Sequence, residues 1–186
     1  MAEDGPRGLS HLKVDRRAEV PDGTTSFYYR TRTALLHGVA DQLVRYDAEA
    51  FTDAFETAPL DDGDVIAAQL ARQILSIRDE PQLSRTRARL ELTLLSRNDP
   101  VISANFQQIG ESMRALVERL VVAVQTGTRP LERGLLDEQV SVVLSYLGGR
   151  ILAFANGSPE LLSGEDISRH FRAVILGVAV VRADGV

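Results

Sequence analysis

Residues 20–36 read Val20-Pro21-Asp22-Gly23-Thr24-Thr25-Ser26-Phe27-Tyr28-Tyr29-Arg30-Thr31-Arg32-Thr33-Ala34-Leu35-Leu36. Pro21-Asp22-Gly23 is a helix break, and a second short helix is expected over residues 22–29. Thr31 then caps a long helix through Leu35, Leu36, Val39, Leu43, Tyr46, Ala50 and Phe51, ending near Pro59. On the other side of the break, Ser10 opens a helix of about ten residues with Val14 and Ala18 on one side. Two short helices around a tight turn, near one end and rich in Arg, Thr and Ser, form the pattern of a helix-turn-helix.

Outward from this stretch the chain reads as helix throughout. Apolar residues recur at three and four rather than at two, so the fold class is all-α. Asp61-Asp62-Gly63-Asp64 places negative charge where a helix begins, ahead of Ile66, Leu70, Ile74 and Ile77. Pro81 ends that helix, and another follows from about Gln82 to Arg97 with Leu83, Leu90, Leu94 and Leu95 inward. Asn98-Asp99-Pro100 restarts the chain into a long helix closed by Gly127 and Pro130. Asp137 is expected to cap the next, through Val140, Val143, Leu144, Leu147, Ile151, Leu152 and Phe154. The last runs from about Gly164 to Arg182 and is apolar on nearly all sides between Phe171 and Val181.

Composition narrows the function. The 186 residues are 44% hydrophobic, enough for a packed core, with no Cys and no Trp. Thiolate metal sites, disulfides and Cys nucleophiles are excluded, and three scattered histidines (His11, His37, His170) make neither a metal site nor a catalytic set. No cofactor is implied and an enzyme is not expected. The first residues are acidic and polar, and the longest apolar run, residues 173–181, is far short of the ~20 needed to span a bilayer. A cytoplasmic protein without membrane contact is expected. The net charge of −5 is unlike a nucleic-acid binder, but residues 7–32 hold six basic and three acidic side chains, a local +3 against −8 elsewhere. A basic patch on an acidic body suits local phosphate contact.

The 20–36 stretch resembles the signature of the TetR family of bacterial transcriptional regulators. It has a Gly-Thr opening to the recognition helix, paired aromatics at its end, then a capped basic residue and Ala-Leu-Leu. Gly8-Leu9-Ser10, with Val14 and Ala18, is similar to the family's preceding helix. The match covers roughly residues 5–46; the rest agrees in layout. The resemblance implies a helix-turn-helix head (1–46) on a ligand-binding and dimerisation body (47–186). It places Gly23 near phosphate, and Thr24, Thr25 and Ser26 at the opening of the recognition helix, where side chains reach base edges. Tyr28 would contact the DNA backbone and Arg32 would grip a phosphate, with Ser10, His11 and Arg16 adding contacts. Phe27 and Tyr29 would pack inward against Val14, Ala18 and Leu35. Family members carry a further helix before the position of Gly8, and residues 1–6 look like its last turn. A head without that helix would leave Val14, Leu35 and Phe27 exposed.

For the body, Leu144, Ile151, Phe154, Ile167, Phe171, Val174, Ile175 and Val178 are the candidate dimer interface, a four-helix bundle about a two-fold axis. The resemblance places a ligand pocket among the middle helices, lined by Leu70, Ile74, Leu90, Leu94, Phe106, Ile109, Met113, Val143 and Leu147. So apolar a lining implies a small, largely apolar effector. The expected partners are an operator in double-stranded DNA, the effector and a second copy of the chain. The implied function is a repressor released from a palindromic operator when the effector shifts the balance of body geometries. The competing reading is a ligand-binding helical dimer of the same family that has lost DNA binding.

Overall fold

The helical periodicity carries into the structure, a computed structural model that describes residues 1–2, 4–55, 61–125, 131–159 and 162–183, with the side chains of 51–55 outside the description. The expected helix end near Pro59 and the closure by Gly127 and Pro130 lie outside the described residues, as does the side chain of Phe51. Among those described there are eight α-helices, one short 3-10 turn (Pro6–Gly8) and no strand. The helices are α1 His11–Arg17, α2 Thr24–Tyr28, α3 Arg32–Phe55, α4 Gly63–Ser76, α5 Gln82–Ser96, α6 Pro100–Val124, α7 Arg133–Ala155 and α8 Gly164–Ala183.

Local chemistry sets most of the starts. The Ser10 hydroxyl accepts the Lys13 N–H at 3.3 Å to open α1. Thr31 accepts the Ala34 N–H at 3.1 Å at the head of α3. The Asp62 carboxylate accepts from Asp64 N and Val65 N to open α4. Ser163 and Asp166 cap α8 reciprocally, the hydroxyl taking the Asp166 N–H and the carboxylate the Ser163 N–H. Two starts differ from expectation. Helix α2 begins at Thr24 because Gly23 is left-handed, at φ 99°, a conformation open to glycine. Helix α7 begins a turn before Asp137, whose carboxylate instead accepts from Arg114 and Arg133 at 2.9 and 3.2 Å.

Between α1 and α2 the chain turns through Glu19 at φ 55°, the one left-handed residue other than glycine among those described. A Cβ in that region costs roughly 1–2 kcal/mol, part of it offset by the entropy a glycine loses on folding. Glu19→Gly is therefore expected to stabilise the protein by about 0.5–1 kcal/mol, read as a raised urea midpoint at unchanged slope; a lowered midpoint would show that the Glu19 side chain contributes more than its backbone strain removes.

The chain divides into two compact units, residues 1–50 with 81–109 and residues 51–80 with 110–186. In the first, Leu9, Leu35, Leu36, Ala40 and Leu43 share one core with Ala88, Leu92 of α5 and Ile102 of α6. Leu35, expected to be exposed in a short head, is 3% exposed, and Val14 packs on the same core. Helix α5 is further tied to α3 by the Arg89–Asp47 ion pair and by Arg85, whose guanidinium lies 3.8 Å over the Tyr46 ring. Burial outweighs Arg89 at Asp47 and pushes its carboxyl above the usual range.

The second unit is helix packed on helix. Ile66, Leu70 and Ile74 of α4, Val117, Leu120 and Val121 of α6, Val140, Val143 and Leu147 of α7, and Ile167, Phe171 and Ile175 of α8 form its core. Gln139 is buried among them, its amide donating to the Ile175 carbonyl at 2.7 Å. No helix among the described residues is long and apolar enough to cross a membrane.

Candidate nucleic-acid interface

Helix α2 has only five residues, too few to hold itself in water; it is held by side chains of α1. Asp15, 1% exposed, aims its carboxylate at the start of α2. Oδ2 accepts the Gly23 N–H at 2.8 Å, and Oδ1 accepts both the Thr25 N–H, at 2.7 Å, and the Thr25 hydroxyl. The Thr25 hydroxyl, and then the two backbone N–H groups, hold the Asp15 carboxyl below the usual range against the opposing effect of burial. At the other end, His11 Nε2–H donates to the Tyr29 carbonyl at 2.6 Å. Arg32 donates to the Pro6 carbonyl and ties α3 to the chain before α1.

This bracing sorts the sequence-derived residues. Thr25 is corrected: it is 7% exposed and bonded to Asp15, so it holds the helix and does not face a groove. Thr24 and Ser26 stand on the outer turns, but their hydroxyls donate inward, to the carbonyls of Pro21 (2.7 Å) and Gly23 (2.8 Å). Ser10 is the exposed cap of α1, and Arg16, with Arg17 and Arg30, is exposed. Tyr28 is 73% exposed. Phe27 is the second correction, since it is 75% exposed rather than packed inward. Helical geometry accounts for it: Thr25 and Tyr29 are four apart and share the inner side, while Phe27, two residues from each, points away. The Phe27 and Tyr28 rings meet edge to face, centroids 5.3 Å apart. Tyr29, expected inward, is still 37% exposed, but its ring leans on α3, where a Cβ at Gly38 would fall 2.4 Å from its Cε1; only glycine admits the ring there.

Asp15, which braces α2, is a residue that the sequence reading missed. Capping signatures look three residues ahead within one helix, whereas Asp15 reaches eight and ten residues on, into the next helix.

Among solved structures that resemble this chain, two cover 95% of it. A transcriptional regulator from Rhodococcus sp. Rha1 superposes with a TM-score of 0.69 at 17% identity, over 95% of this chain and 88% of that one. A Rhodococcus protein assigned to the TetR family of transcriptional regulators superposes with a TM-score of 0.60 at 18% identity, over 95% and 90%. The fold is that of a TetR-family regulator. No family model matches the chain, and no curated protein does.

Within this TetR-type fold, the other sequence-derived sites divide. Of the interface candidates, Phe154, Ile167, Phe171 and Ile175 are corrected: at 3%, 0%, 0% and 0% exposure they are core of their own unit. Leu144, Ile151, Val174 and Val178 are half-buried at its edge. The apolar surface left open on α7 and α8 is Val142, Leu152, Leu176, Val180 and Val181. Gly148, Gly149 and Gly177 there have no neighbour within 4 Å of where a Cβ would stand. A groove of about 620 Å³ runs along this surface, lined by Val142, Val174, Gly177, Val178 and Val181 with Glu138 and Arg182.

The ligand-lining candidates fall in both units. Leu70, Ile74, Val143 and Leu147 pack in the core of the second, with Met113 against it. Leu90, Leu94, Phe106 and Ile109 belong to the first. Leu94 is corrected, because α5 buries Ala88 and Leu92 and so turns Leu94 outward, 76% exposed.

Proposed function

We propose that this chain is a ligand-responsive, DNA-binding transcriptional regulator that works as a homodimer, a repressor released from a palindromic operator by a small apolar molecule. The observation that carries the reading is α2: a short helix held from behind by Asp15 and His11, its far side in water, with exposed Arg16, Arg17 and Arg30 on the chain just before and after it. Such a helix, presented twice about a two-fold axis, is built to enter successive major grooves. Ser10, Gly23, Thr24, Ser26, Tyr28 and Arg32 are then groove or phosphate neighbours, with Arg16 supplying charge.

The dimer in this reading uses the open surface of α7 and α8, with Glu138 and Arg182 at the rim of its groove. The effector lodges among Leu70, Ile74, Met113, Val143 and Leu147 by parting the helices that these side chains now join. Its leverage is limited to its preference for one geometry over the other.

The test is enrichment of duplexes from a random library by the full chain, followed by titration in a salt series. Enriched sites should be palindromic, with half-sites about 10 bp apart or a multiple of it. A dimer meeting about six phosphates loses roughly 1,000-fold in affinity between 50 and 200 mM salt. Absence of any enriched duplex from a folded dimer would overturn the DNA-binding reading in favour of a ligand-binding dimer.

A further inference from the structure

Resting on the DNA-binding reading above, we propose that Phe27 reads the C5 methyl group of a thymine in the major groove, and that this apolar contact contributes more to base choice than any Thr or Ser hydroxyl of α2. The three Thr and Ser hydroxyls of the helix each donate within the protein: Thr24 to Pro21, Thr25 to Asp15, Ser26 to Gly23. Thr24 and Ser26 keep acceptor lone pairs but have no donor left for a purine N7 or a thymine O4. What α2 offers freely is a ring. Phe27 is 75% exposed on the side opposite buried Thr25, and Tyr28 holds it edge to face.

A bare phenyl ring on a soluble surface gains by being covered, and on the major-groove floor the thymine methyl is its apolar partner. The adjoining chain fits a polyanion rather than an apolar protein face. Arg16, Arg17 and Arg30 are exposed, and among the described residues none of them carries an ion pair. Tyr28, with its hydroxyl, suits the sugar–phosphate edge beside the same base.

The experiment uses the full chain and the enriched duplexes, replacing each thymine in turn by deoxyuridine, which removes the methyl and leaves every hydrogen-bonding group. One position per half-site should weaken binding by about fivefold, and the symmetric pair by about 25-fold. Phe27→Ala should bind thymine and uracil at that position alike, with unchanged circular dichroism and Tm, since the ring touches no core. Tyr28→Ala should weaken binding to both duplexes and keep the preference for thymine. The proposal is overturned if no thymine responds to loss of its methyl, or if Phe27→Ala keeps the preference. Failure to enrich any duplex is a different outcome, since it removes the DNA-binding reading itself and this inference with it.

Discussion

Asp15→Ala is expected to lower affinity for the enriched duplex by at least about 100-fold and to take roughly 10 °C from the Tm. The alanine removes the acceptor of the Gly23 N–H, the Thr25 N–H and the Thr25 hydroxyl at once, and leaves the buried Thr25 groups without their partner. A five-residue helix does not survive that loss as a positioned element, so DNA affinity falls further than global stability does. Asp15→Asn, which still accepts, should fall between the two. The carboxyl's folded pKa lies below its unfolded value, so the stabilisation is complete above the unfolded pKa, near 4, and fades as pH falls through the folded one. Asp166, held at about 2 by the Ser163 backbone and hydroxyl and by Arg169, adds loss of the same sign between about pH 4 and 2. Thermal melts from pH 7 to 2 check this: the wild type is expected to lose Tm below about pH 4, and Asp15→Asn to have a shallower slope. Wild-type DNA affinity in Asp15→Ala would mean that α2 is held by something other than this carboxylate.

The second large effect separates the core of α8 from its outer face. Phe171 is fully buried, and its replacement by alanine is expected to cost about 3–5 kcal/mol, a large share of a total near 5–15 kcal/mol. Urea denaturation followed by circular dichroism reads it directly. At Gly177 an added Cβ has no neighbour within 4 Å, and Gly177→Arg exchanges a glycine for a better helix former, worth about 1 kcal/mol. In a two-fold interface that arginine appears twice against an apolar face. Sedimentation should then report a folded monomer whose Tm no longer depends on protein concentration. A Gly177→Arg dimer would remove this face as the interface. A Phe171→Ala chain that is fully stable yet monomeric would return Phe171 to the interface.

The helices were legible because each carries its own signal in consecutive residues. Ser10, Thr31 and Asp62 sit just before apolar periodicity begins and do cap helices. The start of α7 was misread because an acidic residue opposite two arginines resembles a cap in a one-dimensional reading. Which face of a helix is core and which is surface was less legible. Helix α8 is apolar nearly all round, so sequence alone does not distinguish Phe171 and Ile175, fully buried, from Leu176 and Val180, at 46% and 59% exposure.

By itself, the order of residues determined the helical class, the break at Pro21-Asp22-Gly23, and the likeness of 20–36 to a recognition helix, since propensity, capping and turn chemistry act over a few neighbours. Tertiary structure alone decided that Thr25 turns in while Phe27 turns out, that Asp15 holds α2 from another helix, and that Leu35 is covered in a core shared with α5 and α6. Those outcomes depend on contacts between residues from eight to about seventy positions apart, and hydrophobic burial, being non-directional, does not encode in any local pattern which distant side chain will supply the cover.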